Sequence, residues 1–373
     1  MTMRERILSV YRGDVPDVVP YMLDLSHYYY HANSIPWDLS KSLDEPDTAL
    51  IAYHKNVGAG FYIPNLASFF SVEHSGDVSL RVSKKNENGR QSIVWRYSTP
   101  LGSLERVREW QERSYSWGIV DWPAKSVEDL RILAYALTRR SYKPLWDRYL
   151  AWVEAVGDCG VVYMPLGYSA IGHLLNYWMG IENTIYASYD HTSVLRQVVD
   201  EIDANNLGLI DLVAQSPAEI VVMGDNISSD VQPPSFFNRW SRPYYAEAIK
   251  RLHAAGKFVA MHVDGKLRGA LRMVSETGAD CADAVTPGSA NDLTATQCRD
   301  ESGPGFILSG GVPPGLWLPG SSEAAFADSV MQWLDLRKRS PRLIAGAGDQ
   351  VPPGAVAQRV EIMREMVETH GRY

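Results

Sequence analysis

GKFVAMHVDG, residues 256–265, decides the fold. An apolar run, Phe258–Met261, ends in His262-Val263-Asp264-Gly265. Alternate side chains share a face of a strand, so His262 and Asp264 are expected to point the same way, with Val263 opposite. A histidine and a carboxylate side by side where a buried strand gives out suit a metal site, a proton relay or an anchored hydrogen-bond network. The pattern of an apolar run ending in Asp recurs in VVPYMLD (18–24), EIVVMGD (219–225) and RLIAGAGD (342–349).

Working outward, strand-like runs fall at Val18–Leu25, 58–64, 161–167, 219–226, 258–265, 281–287, 305–313 and 342–352. Helical patterns separate most of them: about 169–214, 243–255, 267–277 and 322–337, with a last one at about 354–369. Short β-branched runs alternating with helices indicate a parallel sheet, and eight of them an α/β fold closed as a single (β/α)8 TIM-type barrel. A doubly wound open sheet is the alternative, but no GxGxxG follows any strand. Helices are also expected at 3–12, stopped by Gly13, and near Val127–Leu137, where Ser126 is the N-cap.

One stretch differs in character. SLRVSKKNENGRQSIVWRYSTP (79–100) has two alternating runs around Asn88-Gly89, a strong hairpin signal. Residues 65–105 therefore read as an antiparallel hairpin inserted as a flap. With no repeat, low-complexity segment or linker, the expectation is one domain over 1–373.

Hydrophobic content of 45% with 21% charged residues describes an ordinary globular chain. A net charge of −8 supplies no basic footprint, which argues against nucleic acid. Three cysteines without CxxC spacing point to a reducing compartment. The opening MTMRERILSVYRGDVPD has no signal-like apolar stretch, and no run approaches the roughly 18 apolar residues of a membrane span. These absences lead to an expected cytoplasmic location without a membrane partner.

In such a barrel, functional groups collect at the C-terminal ends of strands. The candidates are Asp24 with His27 and Tyr28, Asp225 with Asn226, His262 with Asp264, Asp283, and Asp349. Asp24 and His27 could equally cap the next segment, and Asp225-Asn226 could be a turn. Asp283 lies inside its strand, which leaves its direction open. Gly346-Ala-Gly348 before Asp349 could admit a ligand close to the backbone or simply make a tight turn. His173 and His191 sit in helical patterns, where a lone histidine is more often structural. The set is carboxylate-rich with one histidine, suited to a divalent ion or to a substrate with amine or pyrrole NH groups. GxSxG, a Cys–His pair and a GKS/T phosphate cradle are all missing.

Several motifs, in this order along the chain, resemble the uroporphyrinogen decarboxylase superfamily: MRERILSVYRGDVPDVVP, STPLGSLE (98–105), WPAKSVEDL (122–130), the GDN after strand four and HVDGKL after strand five. GADCADAVTPGSANDLT (278–294), SGGVPP (309–314) and AGAGDQVPPGAV (345–356) complete the series. They lie nearer the corrinoid-linked (methylcobalamin) methyltransferase branch than the haem-pathway decarboxylases. The resemblance implies a distorted (β/α)8 barrel, often a homodimer, with its site at the C-terminal mouth. The decarboxylases of the superfamily bind pyrrole NH groups with an aspartate and no cofactor. Their arginine motif is missing from PYMLDLSHYYY, which speaks against that activity. The related methyltransferases hold zinc with His-x-Cys after strand five and a Cys in a GCG-like turn after the last strand. Here the positions match His262, Asp264 and Asp349, so two sulfurs become carboxylates.

Three functions are therefore expected to compete. The first is methyl transfer between a corrinoid protein or small methylated donor and a small acceptor. It would use a divalent metal such as zinc on His262, Asp264 and Asp349, with Asp225 and Asp24 placing the substrate and the tyrosines after strand one walling the pocket. Any corrinoid would be carried by a separate partner. The second is a cofactor-free decarboxylase or lyase acting on a small aromatic or pyrrolic acid, with His262 as general acid. Only Arg239, Arg242 and Arg268 stand near strand ends to hold its carboxylate. The third is a non-catalytic ligand-binding barrel.

Overall fold

The structure, a computed structural model, describes residues 1–288 and 292–373. The motif at 278–294 therefore includes three residues, 289–291, that lie outside the described set. Six parallel strands follow one another around an arc in chain order: Met164–Pro165, Ile220–Ile227, Phe258–Val263, Cys281–Val285, Ile307–Val312 and Leu343–Ala347. Two further extended segments complete the ring by single parallel bridges. Tyr21 bridges Ala345, Met22 bridges Gly60, and Phe61 bridges Gly160. Six of the eight predicted strands are thus present as strands, and the first two, at 18–25 and 58–64, as extended segments, all in the predicted order. Their closure is a seam of isolated bridges, because Pro20, Pro64 and Pro165 remove ladder donors from these segments. The seam is also tight. A Cβ on Gly160 would meet the Phe61 carbonyl oxygen at 2.0 Å, and one on Gly346 the Met22 oxygen at 2.5 Å.

Strand parity separates two cores. Val221, Met223, Val259, Met261, Val263, Leu343 and Ala345 face the surrounding helices. Met22, Tyr62, Val161, Tyr163, Ile220, Val222, Ala260, Cys281, Ile307 and Ile344 fill the barrel instead. The helix Met3–Arg12 closes its floor with Ile7, Leu8, Val10 and Tyr11, and the Tyr11 and Tyr163 hydroxyls share a hydrogen bond of 2.7 Å. A capping box at Thr2 and Glu5 starts this helix, and Gly13 in the left-handed region ends it.

The flap is larger than the hairpin read from sequence. The expected turn is present: Glu87 pairs with Arg90 across Asn88-Gly89, whose φ values are 54° and 82°. Two more strands, Gly102–Gln111 and Ser116–Asp121, extend the unit to a four-stranded antiparallel sheet. Residues 102–121 alternate too weakly to show strands, since an aromatic or charged residue stands at half of their positions. Val78, Tyr97 and Leu104 anchor the flap on the helix Val127–Leu137 and on Leu174 and Trp178. None of the described helices is long and apolar enough to cross a membrane.

Candidate active site

The parity that packs the barrel also builds the site. Above the apolar layer, the next inward positions are Asp24 (after Met22), Asn226 (after Val222 and Gly224), His262 (after Ala260) and Asp283 (after Cys281). These four, with Asp349 and Gln350, line one cavity of about 370 Å³, walled by Tyr62, Tyr168 and Tyr177. It opens at the C-terminal ends of the strands, where a barrel of this type places its chemistry.

His262 and Asp283 are register partners on adjacent strands. His262 Nδ1 lies 3.7 Å from Asp283 Oδ2, an ion-pair distance. Burial works against a charged imidazole, but Asp283, Asp349 and Asp264 outweigh it and push the His262 pKa up to about 9. The Asp349 carboxyl is raised as well: burial lifts it to about 6, despite the opposing pull of His262. Asp24 is held by its neighbours, with Ser26 donating N–H and hydroxyl to Oδ1 and Asn65 donating to Oδ2. Asn226, at φ 51°, accepts from the Tyr168 hydroxyl at 2.9 Å.

Other predicted residues do not reach the cavity. Asp225 has the wrong parity and points into the helix layer, 1% exposed. There it accepts from the Ser169 N–H (2.9 Å) and hydroxyl (2.7 Å), from Gln232 (3.4 Å) and from the Tyr245 hydroxyl. It ties the start of the preceding helix, Ala170–His173, to the barrel, and the burial that this requires raises its pKa. His27 and Tyr28 belong to the helix Ser26–Ala32, which turns away from the mouth. His27 Nε2 lies 2.8 Å from the Tyr115 carbonyl oxygen, and Tyr28 packs against Tyr53. The tyrosines after the first strand therefore do not wall the pocket. Tyr62, Tyr168 and Tyr177 do so, and of these only Tyr62 falls in a strand-like run read from the sequence, 58–64. Gly346 and Gly348 serve packing rather than ligand approach, since a Cβ on Gly348 would meet Thr286 Oγ1 at 2.2 Å.

The proposed metal ligands are not gathered as such. Asp264 is exposed and lines a second, neighbouring cavity of about 690 Å³ that shares Asp349 with the first. Among the described residues, no three His, Cys, Asp or Glu side chains converge to hold an ion. His262 turns Nδ1 to Asp283, and Asp264 stands apart from it in the neighbouring cavity. The residues present do not fit the zinc set that the resemblance implies. Arg239, Arg242 and Arg268 do not line the His262 cavity: Arg239 lies against Trp240, Arg242 binds Asn238 and the Glu276 carbonyl, and Arg268 binds the Asp292 carbonyl.

The fold and site define a (β/α)8 barrel with a histidine–carboxylate cavity at its mouth. The sequence profile of the uroporphyrinogen decarboxylase (URO-D) family matches residues 168–370, and the chain belongs to that family. Among solved structures, a methyltransferase from Methanosarcina mazei has the same fold, with 12% identity, a TM-score of 0.61 and 99% of each chain covered. A D-psicose 3-epimerase from Clostridium cellulolyticum H10 aligns over 61% of this chain and 84% of its own, at 9% identity. Its TM-score is only 0.39. No curated protein matches the sequence.

Proposed function

We propose that the chain is a methyl-transfer enzyme in which His262, as an imidazolium, is the general acid. The observation that supports this reading best is the pairing of His262 with Asp283 inside a cavity shared with Asp24 and Asp349. In the reaction, the bond between the methyl group and a heteroatom of a small donor breaks. The heteroatom keeps the electron pair and takes the His262 proton, while the methyl group passes to an acceptor. On this reading the acceptor is a reduced corrinoid presented by a separate protein, and solvent later returns the proton to His262. Asp283 holds the charged ring in place, and Asp24, fixed by Ser26 and Asn65, orients the donor. The family membership and the fold shared with a methyltransferase are consistent with this chemistry.

The test is methylcobalamin formation, followed by absorbance, from reduced cobalamin and a panel of methyl ethers and methylamines. His262→Gln is expected to lower kcat by roughly 10²–10⁴-fold, the usual range for a general acid. Stoichiometric zinc that is lost in His262→Ala would overturn the acid role in favour of a ligand role.

The ring of carboxylates around one imidazolium also suits a second reading, a cofactor-free decarboxylase. It predicts carbon dioxide release from a small aromatic or pyrrolic acid with no cobalamin present.

A further inference from the structure

We infer that Arg106 and Arg108, carried by the flap, anchor a carboxylate of the substrate beside the cavity. This deepens the proposal above and rests on that cavity being the reaction site.

The two arginines lie two residues apart on the strand Gly102–Gln111, so they share a face. Arg106 stands opposite Trp95 on the neighbouring strand, its guanidinium 4.5 Å from the ring centre. It also lies 5.3 Å from Trp178 and 5.5 Å from Tyr177, while Arg108 lies 5.0 Å from Tyr177. Tyr177 is part of the cavity wall. Its hydroxyl donates to Tyr168 at 3.4 Å, and Tyr168 donates to Asn226. One aromatic ring therefore separates both cations from the cavity.

Neither guanidinium has a polar partner among the described residues, and the Nε of each is buried without one. Two more deeply buried arginines use their terminal nitrogens otherwise, although the Nε of Arg299, like that of Arg364, is also unpartnered. Arg299 binds three carbonyl oxygens, from Gly303, Phe306 and Arg342, and Arg359 binds carbonyls of Leu316, Leu318 and Ser321. Aromatic faces attract a buried cation, but they leave its N–H groups unspent. Two planar forks with free donors match a carboxylate, which accepts two bonds at once.

The electrostatics agree. Burial, then the like charge of Arg108, pull Arg106 down to about 10. His173 lies between Tyr168 and Tyr177 and is kept neutral at about 3 by burial and by Arg140 and Arg106, so it adds no competing charge. The cavity itself is lined by aspartates and carries no Lys or Arg. A carboxylate-bearing substrate would thus point its anionic end at the flap and its reacting end at His262.

Calorimetric titration of the full chain with benzoate and with neutral benzamide, at low salt, tests this. Benzoate is expected to bind at least about tenfold more tightly, and Arg106→Gln or Arg108→Gln to remove that preference while leaving benzamide unchanged. Arg108→Lys should retain part of it. Equal binding of the two probes, or variants that bind benzoate like the parent, would overturn the subsite. If Arg106→Gln loses its fold by circular dichroism, Arg108→Gln carries the test. Binding needs no turnover, so a failed cobalamin assay with intact Arg-dependent binding sinks methyl transfer alone, and the converse result sinks only the subsite.

Discussion

His262 owes its charge to its neighbours, so its protonation is a measurable property of the site. Its pKa in the fold, about 9, lies above the ordinary 6.5. The ion pair's contribution to stability is therefore complete below about pH 6.5 and is lost as pH rises through about 9. Urea denaturation across this range should show that loss in the parent chain and not in His262→Gln. If His262 is the acid, kcat should fall on the alkaline side near the same pH, and Asp283→Asn should move that limb to lower pH. Asp225 makes the opposite prediction. Its four donors are structural, so Asp225→Asn should cost about 1–3 kcal/mol by urea denaturation, while probe binding in the cavity survives.

Elements differ in how much error they tolerate. The seam of the barrel tolerates least, because two backbones touch at Gly160 with no room for a methyl group. Gly160→Ala should destabilise the chain by at least about 1–3 kcal/mol, the usual cost of overpacking, read as a lower urea midpoint. The flap shows the limits of pattern. Asn88-Gly89 announced its turn, because only residues tolerant of positive φ fit there. The strands from 102 to 121 were hidden, because both faces carry polar or aromatic groups: one looks to solvent and the other rests on Tyr177 and Trp178.

At the scale of the molecule, the helix Met3–Arg12 is a plug rather than an appendage. Ile7, Leu8, Val10 and Tyr11 are 0–6% exposed in the barrel floor. At roughly 1.5–3 kcal/mol each they supply on the order of 6–12 kcal/mol, comparable with the whole stability of a domain. Deleting residues 1–13 should therefore abolish the cooperative thermal transition and expose dye-binding apolar surface. Apolar runs and their spacing were enough, in the sequence alone, to determine eight extended segments, their order, and the placing of acids at their ends, since burial demands that periodicity. Parity within each run even held the answer for Asp225, one residue out of step with Val222 and Asn226. Only the tertiary structure could decide that Asp283 faces His262, that His27 and Tyr28 leave the mouth, and that two flap arginines stand by the cavity. Those relations join residues tens to hundreds of positions apart, and sheet register and packing set them rather than any local pattern.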